Sequence, residues 1–173
     1  MIADVFVTGC AAHPVCQDAA RTYRTAADGP AAVAAVVADG CSSAPDSHWG
    51  AGLYALVGAA EAARRPAADE PAGRYVDVVS AGVRGRWAAI GGLPEAALHA
   101  TLLACAADAA GGWAWACGDG VVLARERAGG RVVYTRHRSP GDVAPYYPAY
   151  RLEADGPARY RARFGDVRVE EAW

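Results

Sequence analysis

The sequence predicts an α+β fold, with antiparallel sheets and helices packed on their outer faces. Three observations carry that expectation. Short β-rich runs occupy the chain up to Ala38. Two long helical stretches then follow each other with only a polar link between them. From about Leu98 the apolar period shortens to that of strands, and four such runs succeed one another across glycine-bearing turns. Helices that come together, and do not alternate with strands, argue against a doubly wound parallel sheet.

In chain order, Ile2 to Thr8 reads as a strand ended by Gly9. Residues 11–18 read as a loop, because Pro14 holds His13 extended and disfavours a helix interior. Ala20 to Thr25 is a second strand with Thr22 and Arg24 on one face, and 26–30 turns the chain back. Ala32 to Ala38 is an unbroken apolar run, expected as the central, buried strand. Asp46 or Ser47 stands where a helix cap is wanted. The helix that follows ends near Arg65, before Pro66, and carries Leu53, Leu56, Val57 and Ala60 on one side. Val76, Val79, Val83, Trp87 and Ile90 recur at helical spacing in a second helix, stopped by Gly91-Gly92-Leu93-Pro94.

Strands are expected next at 99–106, 113–117, 121–125 and 131–136, as one antiparallel meander. Cys105 and Cys117 fall on these apolar strands and are expected in the core, as are Trp87, Trp113 and Trp115. The stretch 140–150 reads as a loop, in which Tyr146, Tyr147 and Tyr150 offer a substrate or partner surface. Short strands are expected at 159–164 and 167–170. No internal repeat divides the chain, so 1–173 is expected as a single domain.

Composition excludes some classes of function. The chain is 53% hydrophobic and 21% charged, which suits a folded domain. A formal charge of −2 supplies no basic field, so no nucleic-acid partner is expected. No run of about 18 uncharged apolar residues occurs, so no membrane span is expected. Met1-Ile2-Ala3-Asp4 lacks the basic lead of a signal peptide. The five cysteines, Cys10, Cys16, Cys41, Cys105 and Cys117, are an odd number and read as reduced thiols in a cytoplasm. The basic side chains are all arginine and alanine is abundant, which reads as a genomic bias of a bacterial kind.

The chemistry gathers around Val36-Val37-Ala38-Asp39-Gly40-Cys41. An apolar strand there delivers a carboxylate to its own end beside a glycine that allows close backbone approach. Such a donor set suits a hard cation, Mg²⁺ or Mn²⁺. Asp39-Gly40, with Gln17-Asp18 before it and Gly118-Asp119-Gly120 after it, resembles the metal-dependent Ser/Thr protein phosphatases of type 2C, the PPM family. The resemblance implies a PPM-type αββα sandwich. It implies two metal ions between the sheets and hydrolysis of phosphoserine or phosphothreonine in a protein substrate. Asp39 matches the aspartate that bridges both metals, and Gly40 matches the glycine that ligates through its carbonyl. Asp18 matches the early acidic residue that holds metal-bound water. Asp119 matches the aspartate of the later Gly-Asp motif, which in some members helps hold a third ion. Ala100-Thr101-Leu102 matches a Ser/Thr-rich strand entry that supports register.

The chain also departs from that pattern. His13 stands where many members place an arginine against phosphate, and its charge would depend on pH near neutrality. Cys41 stands where some members place a histidine acid. The two later aspartates of the family have no match after Asp119: Asp155-Gly156 follows no apolar strand, and Asp166 precedes Val167. The sequence is therefore expected to be incomplete at its C-terminal side. A second reading is a catalytically silent PPM-like module that binds a phosphoprotein. A third is a zinc site from His13, Cys16, Cys41 and His48, although Cys41 to His48 is not a standard ligand spacing. The oligomeric state is not legible.

Overall fold

The computed structural model describes residues 15–25, 32–64, 71–125, 129–130, 132–137, 145–165 and 170–172. The expected strand Ile2–Thr8 and the expected phosphate contact His13 lie outside these residues. Strands β1 (Ala19–Arg24) and β2 (Val33–Ala38) come first, then helices α1 (Ser47–Ala62) and α2 (Ala72–Ile90). A 3₁₀ segment (Glu95–Leu98) leads into β3 (Leu102–Ala107), β4 (Gly112–Cys117), β5 (Gly120–Arg125) and β6 (Val132–His137). A second 3₁₀ segment (Pro148–Leu152), helix α3 (Gly156–Phe164) and strand β7 (Glu170–Ala172) complete the order. Among the described residues the class is α+β, as expected: an antiparallel sheet in the order β1-β2-β3-β4-β7, and a separate β5-β6 hairpin.

The helices cover one face of the larger sheet. Ala34, Val36 and Ala38 of β2 and Leu102, Ala104 and Ala106 of β3 are buried there. The face that α1 turns to the sheet is built of small residues, Gly50, Ala51, Ala55, Gly58, Ala59 and Ala62, with Tyr54 among them. Small side chains bring the helix close: a Cβ on Gly58 would lie 3.2 Å from Leu102 Cδ1 and 3.4 Å from Val36 Cγ2. The expected apolar side of α1 is therefore displaced. Leu56 and Ala60 are exposed, and Leu53 and Val57 are only partly covered. Alanine and glycine carry so little hydropathy contrast that the pattern favoured the larger residues. Helix α2 buries Val76, Val79 and Val83 as expected, and its Tyr75 ring stacks on Trp115 of β4 at 4.4 Å. Trp113 Nε1 donates to the Ala62 carbonyl at 3.0 Å, which ties β4 to the end of α1.

The other face of the sheet is more open. Strand β2 is not buried on both sides: Val37 is 55% exposed, and the strand lies second in the sheet, with β3 at the centre. Cys105, expected in the core, is exposed on β3. The expected four-strand meander breaks after β4. Gly118 takes φ +98, in the left-handed region that favours glycine, and the chain leaves the first sheet to start the β5-β6 hairpin. Backbone passes close over the open face there, since a Cβ on Gly120 would lie 2.3 Å from Leu103 Cδ2.

Two further expectations are corrected. Tyr146 and Tyr147 are each 4% exposed, and they pack with Tyr150, Tyr160 and His99 instead of forming a surface loop. Residues 156–164 form a helix, not a strand: Pro157 at its start pre-sets helical φ. Asp46 stands at the N-cap of α1 in a left-handed conformation (φ 61) without a side-chain cap bond. Ser47 Oγ instead donates to the Cys41 carbonyl at 3.0 Å, holding the turn after Asp39-Gly40 against the helix.

Candidate functional site

Strand register assembles the site. The β1–β2 ladder ends at Ala19↔Ala38, and one further step sets Asp18 opposite Asp39. The next step is occupied as well, because Gly40 N donates to the Gln17 carbonyl at 3.2 Å. On its other side β2 runs in register to Val37↔Leu103, and the bridge Gly40↔Ala100 continues it, so Asp39 faces Thr101. The β3–β4 ladder reaches Leu102↔Cys117, which sets Gly118 opposite Thr101 with Asp119 next in the chain. One line across four strand ends thus carries Asp18, Asp39, Thr101 and Gly118-Asp119.

The three aspartates influence one another. Burial pushes the Asp39 carboxyl up to about 6, and a hydrogen bond and repulsion from Asp18, with repulsion from Asp119, add to it. Like charges directly opposite on neighbouring strands are destabilising, which is part of why Asp39 holds its proton to a higher pH than a free aspartate. All three residues keep solvent-accessible surface at the open side of the sheet, so the burial of the Asp39 carboxyl is partial. Among the described residues, however, no group of three or more His, Cys, Asp or Glu side chains stands ready to hold one ion. The carboxylates are near enough to repel, without being gathered into a closed ligand set.

Gly40 is required for space. A Cβ there would lie 2.5 Å from the Gln17 carbonyl oxygen and 2.9 Å from Ser47 Oγ. Thr101, whose role the sequence limited to register, is 2% exposed and holds Asp39 on both sides of its peptide: Thr101 N donates to Asp39 O at 2.8 Å, and Asp39 N donates to Thr101 Oγ1 at 3.0 Å.

Cys41 lies half-buried just beyond. Burial pushes its thiol up, but hydrogen bonds from the Ser43 and Tyr147 side chains and from the Ser43 and Ala44 backbone outweigh this and leave it below the ordinary thiol range. Burial and the Cys41 contact raise the Tyr147 phenol. The His99 ring stacks on Tyr147 at 5.3 Å, and burial lowers its affinity for a proton. Sequence reasoning placed Tyr147 in a surface loop and gave His99 no role, because their stacking joins segments far apart in the chain. Of the alternative zinc set, His13 lies outside the described residues, and Cys16, Cys41 and His48 form no group that could hold an ion among the described ones. Asp155 stands at the start of α3, 3.6 Å from Arg159, and not at a strand end.

A cavity of about 250 Å³ lies elsewhere, between α2 and the two 3₁₀ segments, lined by Arg84, Trp87, Leu98, His99 and Leu152 among others. None of the three aspartates lines it. The strand-end line is the stronger candidate, because its charged groups converge and the cavity's do not. No helix among the described residues is long and apolar enough to cross a membrane.

No curated protein and no solved structure matches the chain. A family model described as protein phosphatase 2C matches residues 11–143, a span that includes Asp18, Asp39, Gly40 and Asp119. The match covers most of the chain and spans every strand of the line that carries those aspartates, and the chain belongs to the protein phosphatase 2C family.

Proposed function

We propose that the chain hydrolyses phosphoserine and phosphothreonine in proteins, as one catalytic domain using a dinuclear Mn²⁺ or Mg²⁺ centre. The observation that carries this reading is the line of strand ends bearing Asp18, Asp39 and Asp119, with the Asp39 carboxyl raised to about 6 by burial and by the other two. Carboxylates that repel one another at an exposed strand end fit a hard divalent cation, which removes the repulsion. Bound there, the cation would supply positive charge against the phosphate and a more acidic water.

The chain's own groups have distinct parts. Asp39 and Asp18 would hold the cation through carboxylate oxygens, Gly40 through its carbonyl, and Asp119 from the start of β5. Above about pH 6 Asp39 is free of its proton and available as a ligand. Tyr147 keeps its proton near neutrality and directs a hydrogen bond to Cys41. Cys41 stands where some members have a histidine acid for the departing alkoxide, and solvent would supply that proton here. His13, five residues before Asp18, would meet the phosphate. The site lies at the exposed end of the strands and not in the cavity, which suits a phosphorylated protein segment better than an enclosed small molecule.

A second reading, a phosphoprotein-binding module without turnover, is favoured by the placement of Asp155 at a helix start beside Arg159, where it cannot act as a late strand-end ligand. The test is phosphate release from a phosphothreonine peptide. Turnover should require Mn²⁺ or Mg²⁺, stop on chelation, and fall by about 100-fold or more in Asp39→Asn. Peptide binding without turnover in the metal-loaded wild type would select the second reading, and turnover unchanged in Asp39→Asn would overturn the site.

A further inference from the structure

We propose that Thr101 is the positioning residue that fixes Asp39 and Asp119 relative to each other, and thereby sets the affinity of the site for a divalent cation. This rests on the metal-centre reading above. In a regular antiparallel ladder a hydrogen-bonded pair exchanges two backbone N–H···O=C bonds. The Asp39–Thr101 pair keeps one of them, Thr101 N to Asp39 O at 2.8 Å. In the place of the other, Asp39 N donates to the Thr101 hydroxyl at 3.0 Å. A side-chain oxygen has entered the ladder at the residue that carries the central carboxylate. Regular pairing resumes on both sides, at Val37↔Leu103 and at Gly40↔Ala100. The insertion is therefore local to Asp39.

The same side chain governs the other strand end. Across the β3–β4 ladder Thr101 faces Gly118, and a Cβ on Gly118 would lie 2.8 Å from Thr101 Cγ2 and 3.0 Å from Thr101 Cβ. The threonine side chain thus fills the space a Cβ would need, and leaves room only for glycine where the chain turns into Asp119. Its hydroxyl and its methyl share one Cβ and stand at a fixed angle, and the stiffness of threonine about χ1 fixes the direction of both. One buried residue holds the Asp39 peptide with its oxygen and lies, through its methyl, where only glycine fits at the start of the Gly118-Asp119 turn. Thr101 is 2% exposed, so it acts through the two aspartates and not by touching a ligand.

The two functions can be separated by substitution. Thr101→Val keeps the methyl shape and removes the hydroxyl, which frees the Asp39 peptide. Thr101→Ser keeps the hydroxyl and removes the methyl. Thr101→Ala removes both. The measurement is calorimetric titration of Mn²⁺ into each folded protein at pH 7.5, with circular dichroism to establish folding. Groups that orient metal ligands typically contribute about 10- to 100-fold in affinity. Thr101→Val and Thr101→Ala should weaken Mn²⁺ binding by about tenfold or more, and Thr101→Ser should restore most of it.

A merely structural threonine would change the melting temperature in all three variants and leave Mn²⁺ affinity where it was. That result in folded Thr101→Val, or in Thr101→Ala if the valine variant does not fold, overturns the inference while the metal-centre reading stands. A wild-type protein that takes up no Mn²⁺ overturns the metal-centre reading and this inference with it.

Discussion

Asp18 and Asp39 face each other one step beyond the last pair of the β1–β2 ladder, and burial, with Asp18 and Asp119 adding to it, keeps a proton on Asp39 until about pH 6. The fold places two acids directly opposite each other, where like charges repel, at an end of the sheet that solvent can reach. Stability, metal binding and thiol chemistry should each register this arrangement.

Without metal, the protein should lose stability as pH rises from about 4 to 6. The folded Asp39 carboxyl binds its proton up to about 6, whereas an unfolded aspartate releases it near 3.8. The folded state therefore binds more protons in that window, and the contribution, fully present below the unfolded value, is lost as pH passes through the folded one. Melting curves in chelator should show Asp39→Asn more stable than wild type at pH 7.5, and no such advantage at pH 4. Equal advantages at both values would refute the origin of the effect.

Mn²⁺ should reverse that loss. At a free concentration 100 times its dissociation constant, a ligand that binds only the folded state adds about 2.7 kcal/mol. For a domain of this size that raises the melting temperature by roughly 5–10 °C. The rise should be absent in Asp39→Asn, and chelator should remove it in wild type. A similar rise in both proteins would place the ion elsewhere.

Two glycines of α1 should respond in opposite directions to alanine. A Cβ on Gly50 would lie 2.2 Å from the Ala97 carbonyl oxygen and 2.8 Å from Leu98 Cα, backbone atoms that cannot step aside. Gly50→Ala should cost about 1–3 kcal/mol. Gly52 has nothing within 4 Å of its Cβ position, so Gly52→Ala should stabilise by roughly 0.5–1 kcal/mol. Denaturant midpoints of the two variants check both signs.

Cys41 should alkylate faster than Cys105 at pH 7, although Cys105 is the more exposed. Hydrogen bonds hold the Cys41 thiol below its ordinary range despite burial, while burial raises Cys105 against a single backbone hydrogen bond. Peptide mapping after brief iodoacetamide treatment reads the order directly. Faster labelling of Cys105 would mean that access, not thiolate character, governs the two sites.

Much of this architecture was legible in the residue pattern, and the failures have physical causes. β2, α2 and the turn at Gly118-Asp119-Gly120 follow from apolar runs and glycine punctuation, which are local signals. The small-residue face of α1 was obscured because alanine and glycine bury closely without standing out in hydropathy. Whether Tyr146 and Tyr147 end buried or exposed depends on α2 and α3, which no local pattern reports. The split of the expected meander turns on one glycine φ, and the sequence shows the glycine without its consequence. Asp18, Asp39 and Asp119 could be singled out, but only the strand registers reveal that Asp18 and Asp39 are opposite each other and that Thr101 stands between Asp39 and Gly118.

The central claim is that these strand ends hold a divalent cation, and calorimetric titration of Mn²⁺ at pH 7.5 into wild type and Asp39→Asn tests it most directly. Saturable binding in wild type, lost in Asp39→Asn and weakening as pH falls below about 6, is the predicted result. Absence of binding in the wild type, or equal binding in both proteins, would contradict it.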